Sequence, residues 1–405
     1  MSTDVTKLAD RWGLNPAHFW MWDRRPDRPV KADENGVVHV YGYQEVVEVY
    51  SSPAAYSSNV SAAFLGDAEA ADTLNEGTLL QQDPPEHTKL RKLVSGVFTA
   101  RMVAGLEPRI TAITTELLDA AADGDGSELE LVDALTYPMP VIVIAELLGV
   151  PQSDRVLFKK WVDQMVAAAG AMNAGEGDQQ LEDADVAAAM RHVPELLDYL
   201  RHHVDERRAK PRQDLITKLV QAEVDGERLS DAAVVNFANE LLVIGHATTS
   251  ALLGNMLLCL DSQPEHMARL RRNPELVQGV TEETLRFLSP ITGSYRVATT
   301  DTELAGVQVP KGSLVTLWLG AANRDERQFD RPYVFDPDRV PNPHIGFGRG
   351  IKFCIGAPLA RLEARIAVNL LLERFPELHT HPDVPPEFLP VDNTIGVTRL
   401  LLCTG

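Results

Sequence analysis

Three groups of residues combine types and spacings that could do chemistry. The most informative runs from His344 to Gly356, with the core Phe347-Gly348-x-Gly350-x-x-x-Cys354-x-Gly356. Glycines 346, 348 and 350 permit a tight turn and a close approach of backbone to something flat or bulky. Cys354 follows that turn and precedes a helix expected to begin near Ala357. Backbone N–H groups at a turn and a helix start favour a thiolate over a thiol. A thiolate held there is a good soft ligand for iron. The second group, His87-x-x-x-Arg91, puts two donors at i, i+4, able to clamp a carboxylate; a solvated basic face is the alternative. The third, Glu283-x-x-Arg286, puts opposite charges on one helical face, which by itself reads as a surface ion pair of little worth.

Other readings of the cysteine loop are a small buried thiol or a glycine-rich phosphate turn. No Lys-Ser/Thr follows to make a P-loop. No second Cys or His lies at a zinc-ligand spacing. The chain has three cysteines, Cys259, Cys354 and Cys403. That odd, sparse number argues against a disulfide framework and fits a reducing cytoplasm.

Helical patterns must carry these groups. Glu86 to Val97 follows Asp83-Pro84-Pro85 and would hold His87 and Arg91. Pro108 to Ala122, Met139 to Leu148 (stopped by Gly149), Pro274 to Leu288 and Ala357 to Glu373 are further helices. Ser230 to Leu260 reads as one long core helix opened by a Ser230 cap. Strand signals are fewer: Val37 to Val40, Tyr295 to Ala298, Val307 to Val309 and Leu314 to Leu319. Residues 58–85, 170–185 and 325–350 read as irregular. The 405 residues are 44% hydrophobic and 24% charged, which excludes disordered and low-complexity classes. The net charge of −20 disfavours nucleic-acid binding. No signal pattern and no run of about 18 apolar residues is evident, so a cytoplasmic protein with no membrane contact is expected.

The cysteine loop resembles the haem-binding loop of the cytochrome P-450 superfamily, Phe-x-x-Gly-x-x-x-Cys-x-Gly, and companion motifs follow in the family's order across essentially the whole chain. The resemblance implies a mainly α fold with small β-sheets: a triangular helical prism, with haem b between the long central helix and the Cys loop. It implies that residues 1–405 form one haem domain without a fused reductase. Cys354 would be the axial ligand, with Phe347, Gly348, Gly350 and Gly356 shaping its loop. His87, Arg91, Arg296 (in PITGSYRVAT) and His344 would contact the propionates, four donors for two carboxylates. Glu283, Arg286 and Arg339 (in Phe335-Asp-Pro-Asp-Arg339) would form a structural network behind the loop.

Gly245-His246-Ala247-Thr248-Thr249 resembles the family's oxygen-binding stretch. Gly245 would let the haem and a diatomic ligand approach the backbone. The Thr248 hydroxyl has two compatible roles: bonding back to the Ile244 carbonyl, or helping to pass protons. The family usually has an acid before this threonine; Ala247 stands here instead. Glu240 and His246 are the titratable groups nearest in sequence, and ordered water is expected to substitute. By family position the pocket draws on residues 60–85, 160–190, 237–249, 290–296 and 392–396. Candidates are Leu65, Leu241, Val243, Ile244, Ala247, Ile291 and Ile395, with Asn239, Thr292, Ser294, Asn393 and Thr394 as polar contacts. Each reads equally well as ordinary core or loop.

The implied activity is hydroxylation or epoxidation of a small organic molecule, a polyketide or other secondary-metabolite intermediate, free or carrier-tethered. Electrons from NAD(P)H would arrive through a ferredoxin reductase and ferredoxin, to a monomer. Lys89, Arg91, Lys92, Arg349, Lys352, Arg361 and Arg365 are expected near the proximal face as a basic dock. Loops around 60–85 and 155–195 are expected to gate the pocket. The alternatives are oxidative coupling or cyclisation, peroxide-driven oxidation, and a haem sensor without turnover.

Overall fold

Ser230 opens the longest helix, its hydroxyl accepting the Ala233 N–H at 3.0 Å. The computed structural model describes residues 5–61, 75–122, 127–154, 157, 160–161, 193–224 and 226–405. This central helix, Asp231–Asp261, matches the expected span within a residue at each end. Every residue from Thr249 to Leu260 is buried, as an all-round apolar stretch requires. By length and composition it could cross a membrane, although polar residues interrupt its apolar run. Yet 67% of its most apolar window is buried inside the protein, so it is a core helix here.

Helices Pro138–Leu148, Val193–Ala209, Val277–Phe287 and Ala357–Arg374 pack around it. Val193–Ala209 was not anticipated, because its charges dilute the pattern. It buries Leu196, Leu200 and Val204, a stripe of three residues spaced four apart. Gly149 ends Pro138–Leu148 at φ +82°, a left-handed stop. Glu86–Val97 lies where expected. The single helix expected over Pro274–Leu288 is a 3-10 turn, Pro274–Leu276, followed by the helix Val277–Phe287.

The largest sheet orders its strands Val30–Ala32, Val38–Val40, Leu314–Trp318, Gly293–Ala298 and Tyr56–Ser57. Leu314–Trp318 runs parallel to Val38–Val40 and antiparallel to Gly293–Ala298, with Val315 opposite Arg296. This sheet has its own apolar core, including Tyr43, Val46, Val315 and Leu317. Residues 325–349 form turns and bends, as expected. Leu65 and residues 170–185 lie outside the described residues.

Candidate active site

The Cys354 loop is shaped by backbone constraints. Gly348 and Gly350 sit at φ +69° and +66°, where a side chain is strained. A Cβ on Gly346 would lie 2.7 Å from the Leu285 carbonyl oxygen. The Cys354 N–H closes the turn on the Phe347 carbonyl at 2.9 Å. Phe347 is covered by the Arg361 guanidinium, 4.6 Å above its ring. Cys354 is solvent-accessible yet surrounded by protein, so its thiol lies on the floor of a cleft. Burial pushes this thiol up; the N–H groups of Gly356 and Ala357 and the charges of Arg91 and Arg361 pull it down. Those groups favour a thiolate, and a coordinated metal would complete the deprotonation.

Apolar side chains that are unusually open include Leu80 at 52%, Phe353 at 40% and Ile244 at 36% exposure. Phe353 adjoins Cys354. Glu240, one turn before Ile244 on the central helix, holds Leu80 by its N–H at 3.0 Å. His87, Arg91, Arg296, Lys352 and Asp83 interact electrostatically in one cluster. His87 is buried and both its ring nitrogens lack a partner. Burial, then the charges of Lys352 and Arg91, pull it down to about 4, so it is neutral near pH 7. Arg296 lies 5.0 Å over the Tyr50 ring, with Nη1 donating to the Tyr295 carbonyl at 2.6 Å. A cysteine on the floor, open apolar side chains and a cationic cluster with an unpartnered imidazole fit a flat apolar macrocycle that carries iron and two carboxylates.

Several expected site residues have protein partners of their own. His344 has both ring nitrogens engaged: Nε2 with Glu282 at 3.0 Å, Nδ1 accepting the Gly346 N–H at 3.2 Å. These bonds brace the Cys loop. Arg91 donates to the Phe353 carbonyl at 2.7 Å, bracing the same loop. Lys352, expected on the docking face, turns its ammonium to the Leu79 and Gln82 carbonyls. Burial lowers it to about 8, and its ammonium points into the protein instead of onto a docking face. Its signal was its place two residues before Cys354 in the loop itself. Other expected dock cations are paired: Arg361 on Glu282, Arg365 on Glu107 at 2.8 Å and Lys89 on Glu227 at 3.1 Å. Arg349 donates to the Tyr43 hydroxyl at 3.2 Å.

On the central helix, Thr248 Oγ1 donates to the Ile244 carbonyl at 2.9 Å and Thr249 Oγ1 to the Gly245 carbonyl at 2.9 Å. Thr249 is buried and neighbours Glu363 on the helix Ala357–Arg374. A Cβ on Gly245 would lie 2.7 Å from Ile144 Cδ1, so this glycine packs closely against the helix Pro138–Leu148. Glu240 is spent on the Leu79 and Leu80 N–H groups, and His246 is buried edge-on to Tyr137, with Nδ1 on the Leu242 carbonyl. Neither stands as a ready proton donor in place of the acid absent at Ala247.

Among pocket candidates, an Ile291–Thr394 bridge joins the segments 291–294 and 392–395. Ser294 Oγ accepts from Arg296 at 3.2 Å, and Asn393 accepts from the Thr292 N–H at 2.8 Å. Leu241 is half-buried against the core. Thr292 and Ile395, expected on the pocket wall, are fully buried, with the Thr292 hydroxyl bonded to the Asp392 carbonyl at 3.0 Å. Glu283 and Arg286 are fully buried and doubly bonded at 2.7 and 2.9 Å, and Arg339 reaches the same carboxylate at 3.2 Å.

A mainly helical fold with a long core helix, and a cysteine in a glycine-rich loop before the helix Ala357–Arg374, fit the haem-thiolate class. The family model "Cytochrome P450" matches residues 30–399, and the chain belongs to that family. It is 40% identical over 389 residues to cyclomarin C epoxidase CymV of Salinispora arenicola, covering 96% of each chain. It is 38% identical to the erythromycin C-12 hydroxylase of Saccharopolyspora erythraea, over 94% of this chain and 91% of that one. The crystal structure of HmtN, a post-tailoring hydroxylase of himastatin biosynthesis, superposes with TM-score 0.86 at 49% identity, over 98% of this chain and 99% of that one. The protein is therefore a cytochrome P450 monooxygenase, and the cofactor of its family is haem b held by a cysteine thiolate.

Proposed function

We propose that the enzyme hydroxylates or epoxidises a preassembled secondary metabolite, with Cys354 as the axial thiolate and His87 and Arg296 as the donors nearest the haem carboxylates. Bound haem supplies the oxygen-activating chemistry, supported by electron donation from the thiolate. The chain's own residues hold it, exclude water and orient the substrate. The observation carrying the residue assignment is the accessible Cys354 thiol, approached by the Gly356 and Ala357 N–H groups. The substrate class is supported by the names of the relatives, an epoxidase and two hydroxylases tied to cyclomarin, erythromycin and himastatin. Ferredoxin-type partners are expected to deliver the electrons.

The reduced carbon monoxide complex should show the red-shifted Soret band of thiolate ligation. Cys354→Ser should abolish it, while Cys259→Ala and Cys403→Ser should keep it. A histidine-type band in the parent protein would refute the assignment. With a surrogate ferredoxin and reductase, a panel of macrocyclic secondary metabolites under labelled dioxygen should yield a product carrying one labelled oxygen. Turnover with peroxide alone, or a coupled product without added oxygen, would move the reading to the corresponding alternative reaction.

A further inference from the structure

The segment Asn75–Gln82 is fastened to the central helix from one side. Ser230 Oγ donates to Glu76 Oε1 at 2.6 Å, and Asn236 Nδ2 donates to the Glu76 carbonyl at 2.8 Å. Gly77 packs so closely that a Cβ there would lie 2.4 Å from Ala233 Cα. The Glu240 carboxylate accepts the N–H groups of Leu79 at 2.8 Å and Leu80 at 3.0 Å. From the other side the same peptides meet Lys352, whose ammonium donates to the carbonyls of Leu79 at 2.7 Å, Leu80 at 3.3 Å and Gln82. An ammonium has three donors that rotate to converging acceptors. Here each has a backbone carbonyl, and no carboxylate lies within bonding distance of it among the described residues.

Lys352 belongs to the Cys354 loop and Glu240 to the central helix. In the proposed function these two elements flank the haem. The bonds from Lys352 through Leu79–Gln82 to Glu240 form a continuous link between them. We infer that Lys352 is a positioning residue, a strut that fixes the spacing of the Cys354 loop and the central helix by gripping the backbone of Leu79–Gln82. The role depends on the shape of the donor group, beyond its charge. Three carbonyls converging on one point suit a tetrahedral ammonium; the flat, divergent fork of a guanidinium cannot reach all three. Lys352 and arginine would be interchangeable if the residue only supplied a positive charge to a haem carboxylate or to a redox partner.

The inference assumes the Cys354 cleft as the haem site, and its test separates the two. Haem-loaded parent, Lys352→Arg, Lys352→Met and Glu240→Gln proteins are compared by amide hydrogen exchange and by the rate of haem transfer to apomyoglobin. The carbon monoxide spectrum of the parent checks the haem-site reading independently. Exchange in peptides spanning 76–83 should be about tenfold faster in both Lys352 variants and in Glu240→Gln, because each removes one end of the same link. Haem loss should be faster in Lys352→Arg as well as in Lys352→Met, with the thiolate Soret band retained. Adding Glu240→Gln to Lys352→Met should accelerate exchange no further. Parent-like exchange and haem retention in Lys352→Arg would overturn the strut and leave a charge role. Unchanged exchange at 76–83 in Lys352→Met would overturn it outright. If Lys352→Met does not load haem, Lys352→Arg and Glu240→Gln give the same decision.

Discussion

Replacing Glu283 with Gln tests whether the ion-pair cluster behind the Cys loop holds the fold. The carboxylate accepts from Arg286 Nη2 at 2.7 Å and Nε at 2.9 Å, Arg339 Nε at 3.2 Å, the Asp336 N–H at 2.8 Å and Asn342 Nδ2 at 3.1 Å. Gln keeps the shape and one acceptor. Its NH2 group then faces donors, and two buried guanidinium groups lose their counter-charge. Removing one partner of a buried ion pair costs about 3–5 kcal/mol. Arg286 keeps its bonds to the Asn323, Pro332 and Val334 carbonyls, which places the cost at the lower end of that range. With a urea dependence of about 3 kcal/mol per M, the unfolding midpoint should fall by about 1 M. Far-UV dichroism and the Soret band should be followed together, since a chain of this size with a cofactor need not unfold in one step. Arg269→Ala is the control. Its pair with Asp338 is 2.8 Å long, but the side chains are 39% and 54% exposed, so the midpoint should not move measurably. A Glu283→Gln midpoint equal to that of Arg269→Ala would refute the argument.

Glu363 is fully buried with Oε1 unpartnered, and burial pushes it up to about 8. It stays protonated in the fold between its unfolded value of 4.5 and about 8, so stability falls as pH rises through that window. Glu363→Gln should thus gain on the parent by an amount that grows from pH 5 to pH 8, on the order of 1 kcal/mol per pH unit; a constant difference in urea midpoint would contradict this. Gly346→Ala drives a Cβ to 2.7 Å from the Leu285 carbonyl and should lower the haem-loaded fraction, read from the ratio of Soret to protein absorbance. Gly96→Ala, with nothing within 4 Å, should load normally and gain about 0.5–1 kcal/mol. Thr248→Val removes the hydroxyl bonded to Ile244 and should lower product formed per NAD(P)H without shifting the carbon monoxide spectrum. Unchanged coupling would confine that hydroxyl to its helix bond.

Local chemistry made much of this protein legible in its sequence. Ser230 as a cap, Gly149 as a stop, and the apolar run between Thr249 and Leu260 act over a few residues, so the main helices could be placed from neighbours alone. The Cys354 loop was legible for the same reason: three glycines, one thiol and a following helix start are adjacent in the chain. Tertiary structure decided where charges go. Glu283-x-x-Arg286 has the spacing of an exposed pair, and only the packing of segments some 50 residues away buries it and adds Arg339. Lys352 looked like a surface cation, because sequence gives a residue's type but not its partner. The fold supplies Lys352 with three backbone carbonyls some 270 residues distant and His344 with Glu282. A side chain of several rotatable bonds takes the nearest strong acceptors the fold presents, and which acceptors those are is fixed by long-range packing.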